Sequence, residues 1–209
     1  THVYGMMVCI GLIILMLTTV IQTAADAKAK ADEREQKQFR KFIDTVETIS
    51  NAIDAKDEYT GGHSQRVGKY AGILAREMAE EYNLTEADIL NIQYIGYMHD
   101  IGKIGVADTV LNKAGKLTDE EYMLMKKHVE IGYELMQGIN EIEGLLDGVR
   151  HHHERFDGKG YPDGLAGEDI PILSRVIAVV DAYDAMTSNR RYRSLMSQAE
   201  AAAEIRNGK

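Results

Sequence analysis

Residues 3–21 are almost continuously apolar, interrupted by Thr18 and Thr19, and no Asp, Glu, Lys or Arg precedes Asp26. A run of that length reaches across a bilayer core of about 30 Å as a single helix. The rival reading is a secretory signal with an A-x-A-like site at Ala25-Asp26-Ala27, but the run is too long and lacks a basic leading region. A transmembrane helix over residues 1–23 is therefore expected. Lys28, Lys30, Arg34, Lys37, Arg40 and Lys41 follow it, diluted by Asp26, Asp32, Glu33 and Glu35. By the positive-inside rule they put the rest of the chain in the cytoplasm, at the inner membrane.

Beyond the apolar run, strong breakers are few: the 209 residues contain two Pro, and the Gly residues gather in a small number of loops. Long helices should dominate, so the fold class expected is all-α. Residues 24–43 read as a charged, Ala-rich helical connector. Phe39, Phe42, Ile43, Val46, Ile49 and Ile53 recur at offsets of three and four, a stripe suited to packing on the domain and equally to pairing with a twin chain as a homodimer. Further helices are expected from Val67 to Asn83, from a Thr85/Asp88 capping box to His99, and from a Thr118/Glu121 capping box onward, with His128 on its length. Residues 142–153 and 172–187 complete the set, separated by a Gly-rich loop over 157–167. The last residues, 199–209, read as a helix without a packed ending, and both ends suggest a longer protein.

A net charge of −9 argues against a binder of nucleic-acid polymer, which needs basic residues to neutralise phosphates. The single cysteine, Cys9, lies in the apolar run, which removes disulfides, thiolate metal sites and thiol catalysis. Gly102-Lys103 and Gly158-Lys159 lack the spacing and the following hydroxyl of a phosphate-binding P-loop, and no G-x-S-x-G elbow occurs.

What remains is a cluster of nitrogen and oxygen donors. Six of the seven histidines fall between His63 and His153, two of them as the adjacent pair His152-His153 and another beside a carboxylate in His99-Asp100. One ion would more naturally take ligands at i and i+4, whereas adjacent pairs favour two ions. Imidazole with carboxylate and no thiolate suits iron, manganese, zinc or nickel rather than a structural zinc knuckle. Asp184 or Glu154 is positioned to accept the second ring N–H of a ligating histidine.

These residues resemble those of the HD phosphohydrolase superfamily. His99-Asp100-Ile101-Gly102-Lys103 is similar to its histidine-aspartate signature, and Gly160-Tyr161-Pro162 to the marker of the HD-GYP branch. Thr60 to Val67, His128, His152 to Pro162 and Val180 to Thr187 follow in the family's order, so that the resemblance covers residues 44–206. It implies an HD-type helical domain over residues 44–209, ending short of the family's final helices. The activity it implies is a cyclic di-GMP phosphodiesterase of bacterial signalling. By the same resemblance His63, His99, Asp100 and Asp181 would hold one divalent ion and Asp100, His128, His152 and His153 the other, Asp100 bridging. Iron or manganese are the leading ions; zinc, nickel and magnesium are the alternatives. Two such ions, about 3.5–4 Å apart, activate water and polarise the phosphoryl group.

Around that centre, Lys103 would neutralise a phosphate oxygen and Tyr161 would shape the base or sugar pocket. Arg190 and Arg193 resemble the family's phosphate contacts, against the alternative of a solvated helix end. Three-metal members carry a carboxylate where this chain has Tyr59, so a binuclear centre is expected, with linear pGpG rather than GMP as main product. His151 is expected to be a non-ligand, and Asp57, Ser64 and Arg66 to brace the helix start. Competing readings keep the metals and change the substrate, to cyclic GMP-AMP or a nucleotide monoester, or make the chain a catalytically silent binding module.

Overall fold

The structure is a computed structural model that describes residues 2–57, 61–188 and 195–207. Every regular element among them is helical. The chain divides into two compact units, Thr1–Asp44 and Thr45–Lys209.

Helix α1 runs over His2–Lys56. In the first unit its apolar stretch reaches a mean hydropathy of 2.2 with no buried residue, which makes it long and apolar enough to cross a membrane. The hydroxyls of Thr18, Thr19 and Thr23 donate to the carbonyls of Leu15, Met16 and Val20, so that these polar groups are satisfied inside the helix.

In the second unit Val46 and Ile53 on α1 are buried, and the helix end is pinned by Lys56, whose Nζ donates to the carbonyls of Ile104 at 3.1 Å and Val106 at 2.9 Å. Helix α2 spans His63–Tyr82 and stops at Asn83, which adopts the left-handed conformation and returns its N–H to Ala79. Helix α3, Glu86–Met98, starts from the expected box: Thr85 accepts from Asp88 N–H while the Asp88 carboxylate accepts from Thr85 N–H. Each such cap contributes about 1 kcal/mol.

A 3-10 turn over Ile101–Gly105 follows, then short α4 (Asp108–Leu111), α5 (Asp119–Lys126), α6 (His128–Met136) and α7 (Leu145–His151). Helix α8 occupies Ile172–Thr187 and α9 Gln198–Asn207. The core collects Val67 and Ala71 of α2, Ile92, Ile95 and Met98 of α3, Val129 of α6, Leu145 and Val149 of α7 and Ile177 of α8, all fully or nearly fully buried.

Two glycine contacts set how closely these helices approach. A Cβ on Gly96 would lie 2.7 Å from Gly68 Cα, so α2 and α3 touch backbone to backbone. One on Gly102 would lie 1.8 Å from the His128 carbonyl oxygen, so any side chain there would force the 3-10 turn away from α6.

Two expectations are corrected. The helix opened by Thr118 does not carry His128 along its length: it ends at Lys126, and α6 begins at His128. The helix expected over 142–153 is shorter, Leu145–His151, leaving His152 and His153 in the turn beyond it. In both places the histidine just past the helix end turns its Nδ1 to a carbonyl three residues earlier, Met125 for His128 and Val149 for His152.

Candidate metal centre

His99, His128 and His152 share one local device. Each Nδ1 bonds the carbonyl three residues earlier: Gly96 at 2.7 Å, Met125 at 2.8 Å and Val149 at 2.9 Å. That bond fixes the ring and leaves Nε2 as the atom presented to a ligand. His63, on the first turn of α2, is held differently, by the Asp184 carboxylate of α8, whose Oδ2 lies 2.7 Å from Nδ1. Arg66 Nε donates to the other Asp184 oxygen at 2.6 Å, so Asp184 sits between an imidazole and a guanidinium. Of the two acceptors considered from sequence, Asp184 serves a histidine; Glu154 instead accepts the N–H groups of Asp163 and Gly164 and braces the Gly-rich loop.

The donors converge in two groups. Donor atoms of His63, His99 and Asp181 lie within 4.8 Å of one another, and so do those of Asp100, His128, His152 and His153. Asp100 stands between the groups and turns one oxygen to each. Its Oδ2 is 3.3 Å from His99 Nε2 and 3.8 Å from His63 Nε2, while Oδ1 is 3.4 Å from His128 Nε2 and 3.9 Å from His152 Nε2. His63, His99, Asp100, His128 and His152 are all buried.

Burial without counter-charge is costly, and the neighbours of each group decide which ones stay charged. Burial pushes His63 down, but its hydrogen bonds to Asp181 and Asp184 override this and raise it to about 9. Burial, then the neighbouring His128, takes His153 down to about 4. His152 and His128 are lowered as well, burial again leading. Asp100 stays ionised: burial pushes it up, and Lys103 and His99 hold it well below the usual carboxylate range.

This donor set fits a divalent metal. It is all nitrogen and oxygen, it is buried, and among the described residues His99 Nε2 is a buried polar atom with no hydrogen-bond partner. When bound, such ions supply Lewis-acid polarisation of a phosphoryl group and activation of a water.

The remaining site residues fall out unevenly. Lys103 Nζ is 2.8 Å from Asp100 Oδ2 and 3.0 Å from Asp57 Oδ2, so it is neutralised by two carboxylates. Asp57 thereby braces Lys103, and Ser64 bonds Asp54 through both its N–H and its hydroxyl. Tyr161 stacks on the His153 ring at 4.8 Å. His151 turns away to Asp163, 2.9 Å from its Nε2. Arg190, Arg193 and Tyr59 lie outside the described residues.

Next to the histidines opens a cavity of about 730 Å³, lined by His152, His153 and Asp181 and by apolar side chains such as Leu74, Met78 and Val179. That is the size of a small-molecule site. Lys126 and Tyr122 line it too, and neither stood out in the sequence. Their spacing of i and i+4 on α5, just before His128, was the available signal.

A family model described as HD domain matches residues 47–209. The chain belongs to the HD domain family. It is 40% identical over 179 residues to the cyclic di-GMP phosphodiesterase response regulator RpfG of Xanthomonas campestris pv. campestris, covering 84% of this chain and 44% of that protein. It is 34% identical over 158 residues to the 3'3'-cGAMP-specific phosphodiesterase 3 of Vibrio cholerae, covering 76% of this chain and 34% of the other. The solved structure of Bd1817, an HDG"Y"P protein from Bdellovibrio bacteriovorus, superposes with a TM-score of 0.52 at 19% identity, over 70% of this chain and 47% of that one, and shares the fold. Within the HD family the chain falls in the HD-GYP branch. It spans less than half the length of each of these relatives.

Proposed function

We propose that this HD-GYP chain is a metal-dependent phosphodiesterase that opens cyclic di-GMP to linear pGpG, with two divalent ions, iron or manganese, at the histidine-aspartate centre. The observation that carries this is Asp100, whose two oxygens face two separate groups of nitrogen donors. In that reading His63, His99, Asp100 and Asp181 hold one ion and Asp100, His128, His152 and His153 the other. Lys103 keeps Asp100 ionised through their 2.8 Å ion pair, and Asp184 keeps the His63 ring oriented. Buried surroundings strengthen every one of these contacts. The adjoining cavity takes the dinucleotide, with Tyr161 against His153 shaping the wall beside the reacting phosphate.

The N-terminal helix is assigned to the inner membrane over residues 1–23 and residues 24–43 to a connector that can pair two chains, placing residues 44–209 in the cytoplasm. Support comes from the exposed apolar stretch of α1.

A second reading, cyclic GMP-AMP as substrate, is favoured by the relative named as specific for that dinucleotide. Turnover by purified protein loaded with manganese or iron(II), on each dinucleotide in parallel with products separated by chromatography, decides between them. Rapid conversion of cyclic di-GMP to pGpG is expected. Hydrolysis of cyclic GMP-AMP alone would transfer the assignment, and hydrolysis of neither would end it.

A further inference from the structure

The family resemblance implies phosphate neutralisation by Lys103, yet Lys103 already faces Asp100 and Asp57. Its charge is spent inside the protein, and a phosphate would have to compete with two carboxylates for it. A further cation in the cavity would add to the metals in holding a doubly anionic dinucleotide.

Four cationic side chains line the cavity: Lys126, Arg155, Lys159 and Arg175. Arg155 is paired with Asp157, with Nη2 to Oδ2 at 2.9 Å. Lys159 is exposed on the Gly-rich loop, and Arg175, half-buried on α8, has an Nε without a hydrogen-bond partner among the described residues but no aromatic ring beneath it. Lys126 is different. Its Nζ lies 4.6 Å from the centre of the Tyr122 ring and 4.9 Å from that of Tyr161, and among the described residues no carboxylate stands within ion-pair distance. Tyr161 in turn stacks on His153, which ties the ammonium through one aromatic ring to the donor group around Asp100. Tyrosine faces attract and orient a cation without cancelling its charge, so Lys126 is held at the cavity wall with its charge available to an anion.

We propose that Lys126 is a substrate-binding residue of this centre, contacting a phosphate oxygen of the cyclic dinucleotide in the role that the family resemblance implies for Lys103. The inference rests on the cyclic-dinucleotide reading above and adds the residue that receives the anion. Helix α5, which presents Lys126, has no buried residue, so the lysine can follow the phosphate without disturbing the core.

The test compares wild type, Lys126→Gln and Lys126→Arg, each loaded with manganese, on cyclic di-GMP and on cyclic GMP-AMP at several ionic strengths. Loss of a charged phosphate contact should raise KM by about ten- to a hundredfold in Lys126→Gln with bound manganese unchanged. The rise of KM with salt should flatten in that variant, and Lys126→Arg should recover most of the wild-type KM. An unchanged KM in Lys126→Gln, or a loss confined to kcat or to metal content, overturns the inference while leaving the phosphodiesterase reading intact. A wild type inactive on both dinucleotides removes that reading, and the inference with it.

Discussion

The two donor groups are built to different plans. In the group of Asp100, His128, His152 and His153, two of the three imidazoles are braced by a backbone carbonyl of the helix that precedes them, and burial lowers all three. In the group of His63, His99 and Asp181, His99 keeps a carbonyl brace, but His63 is braced by a carboxylate from another helix, and its carboxylate partners raise it to about 9. In the first group the imidazoles are neutral beside an ionised Asp100; in the second His63 carries a proton that a cation must displace. A histidine set that looks uniform in sequence is thus divided by what stands behind each ring.

Asp100 is the one residue common to both, so its replacement tests the comparison hardest. Asp100→Ala should lower turnover by at least about a thousandfold and deplete metal from both groups. Loss of metal from one group alone, read by elemental analysis, would show that the groups do not share it.

Asp184→Asn should separate them. It removes the carboxylate behind His63 and should weaken metal binding at that group by about ten- to a hundredfold, with little change at the other. It also leaves Arg66 without its carboxylate partner, so a fall in thermal stability of the metal-free protein is expected alongside. Equal weakening of both sites in a metal titration would contradict the distinction. No single substitution can do the same to the other group's backbone braces.

The pH dependence follows from the same difference. His63 is raised from 6.5 to about 9, so its contribution to stability is fully present below 6.5 and is lost as pH rises through about 9. His153 is depressed to about 4, so its contribution is present above 6.5 and is lost as pH falls through about 4. Metal-free protein should therefore melt at its highest temperature near pH 6.5, with a decline on either side. Metal titration in weak buffer at pH 7.5 should release a proton on filling the His63 group and none on filling the other. Proton release from both, or from neither, breaks the comparison.

The smallest effect is expected from Tyr161→Leu, which removes the ring on His153. Such a stack contributes about 0.5–1.5 kcal/mol, so kcat/KM should fall by roughly two- to tenfold with metal content unchanged.

Much of the fold was legible because helical signals are local. The Thr85 and Thr118 capping boxes, the left-handed stop at Asn83 and the span Ile172–Thr187 were all written within a few residues. The break at Lys127 and the early end of α7 were not, because no strong breaker marks them. At both places a histidine ring folds back on a carbonyl of the preceding helix, His128 on Met125 and His152 on Val149. By itself the sequence determined the helical class, the apolar N-terminal helix, the donor types and the family to which their order belongs. Only the tertiary structure decided which donors face each other. It turned the two Asp100 oxygens to opposite groups, put Asp184 rather than Glu154 behind a histidine, spent Lys103 on carboxylates and left Lys126 over two tyrosines. Those pairings join α2 to α8, the 3-10 turn to α6 and α5 to the Gly-rich loop, and such contacts depend on how closely helices approach at positions like Gly102, which no local pattern encodes.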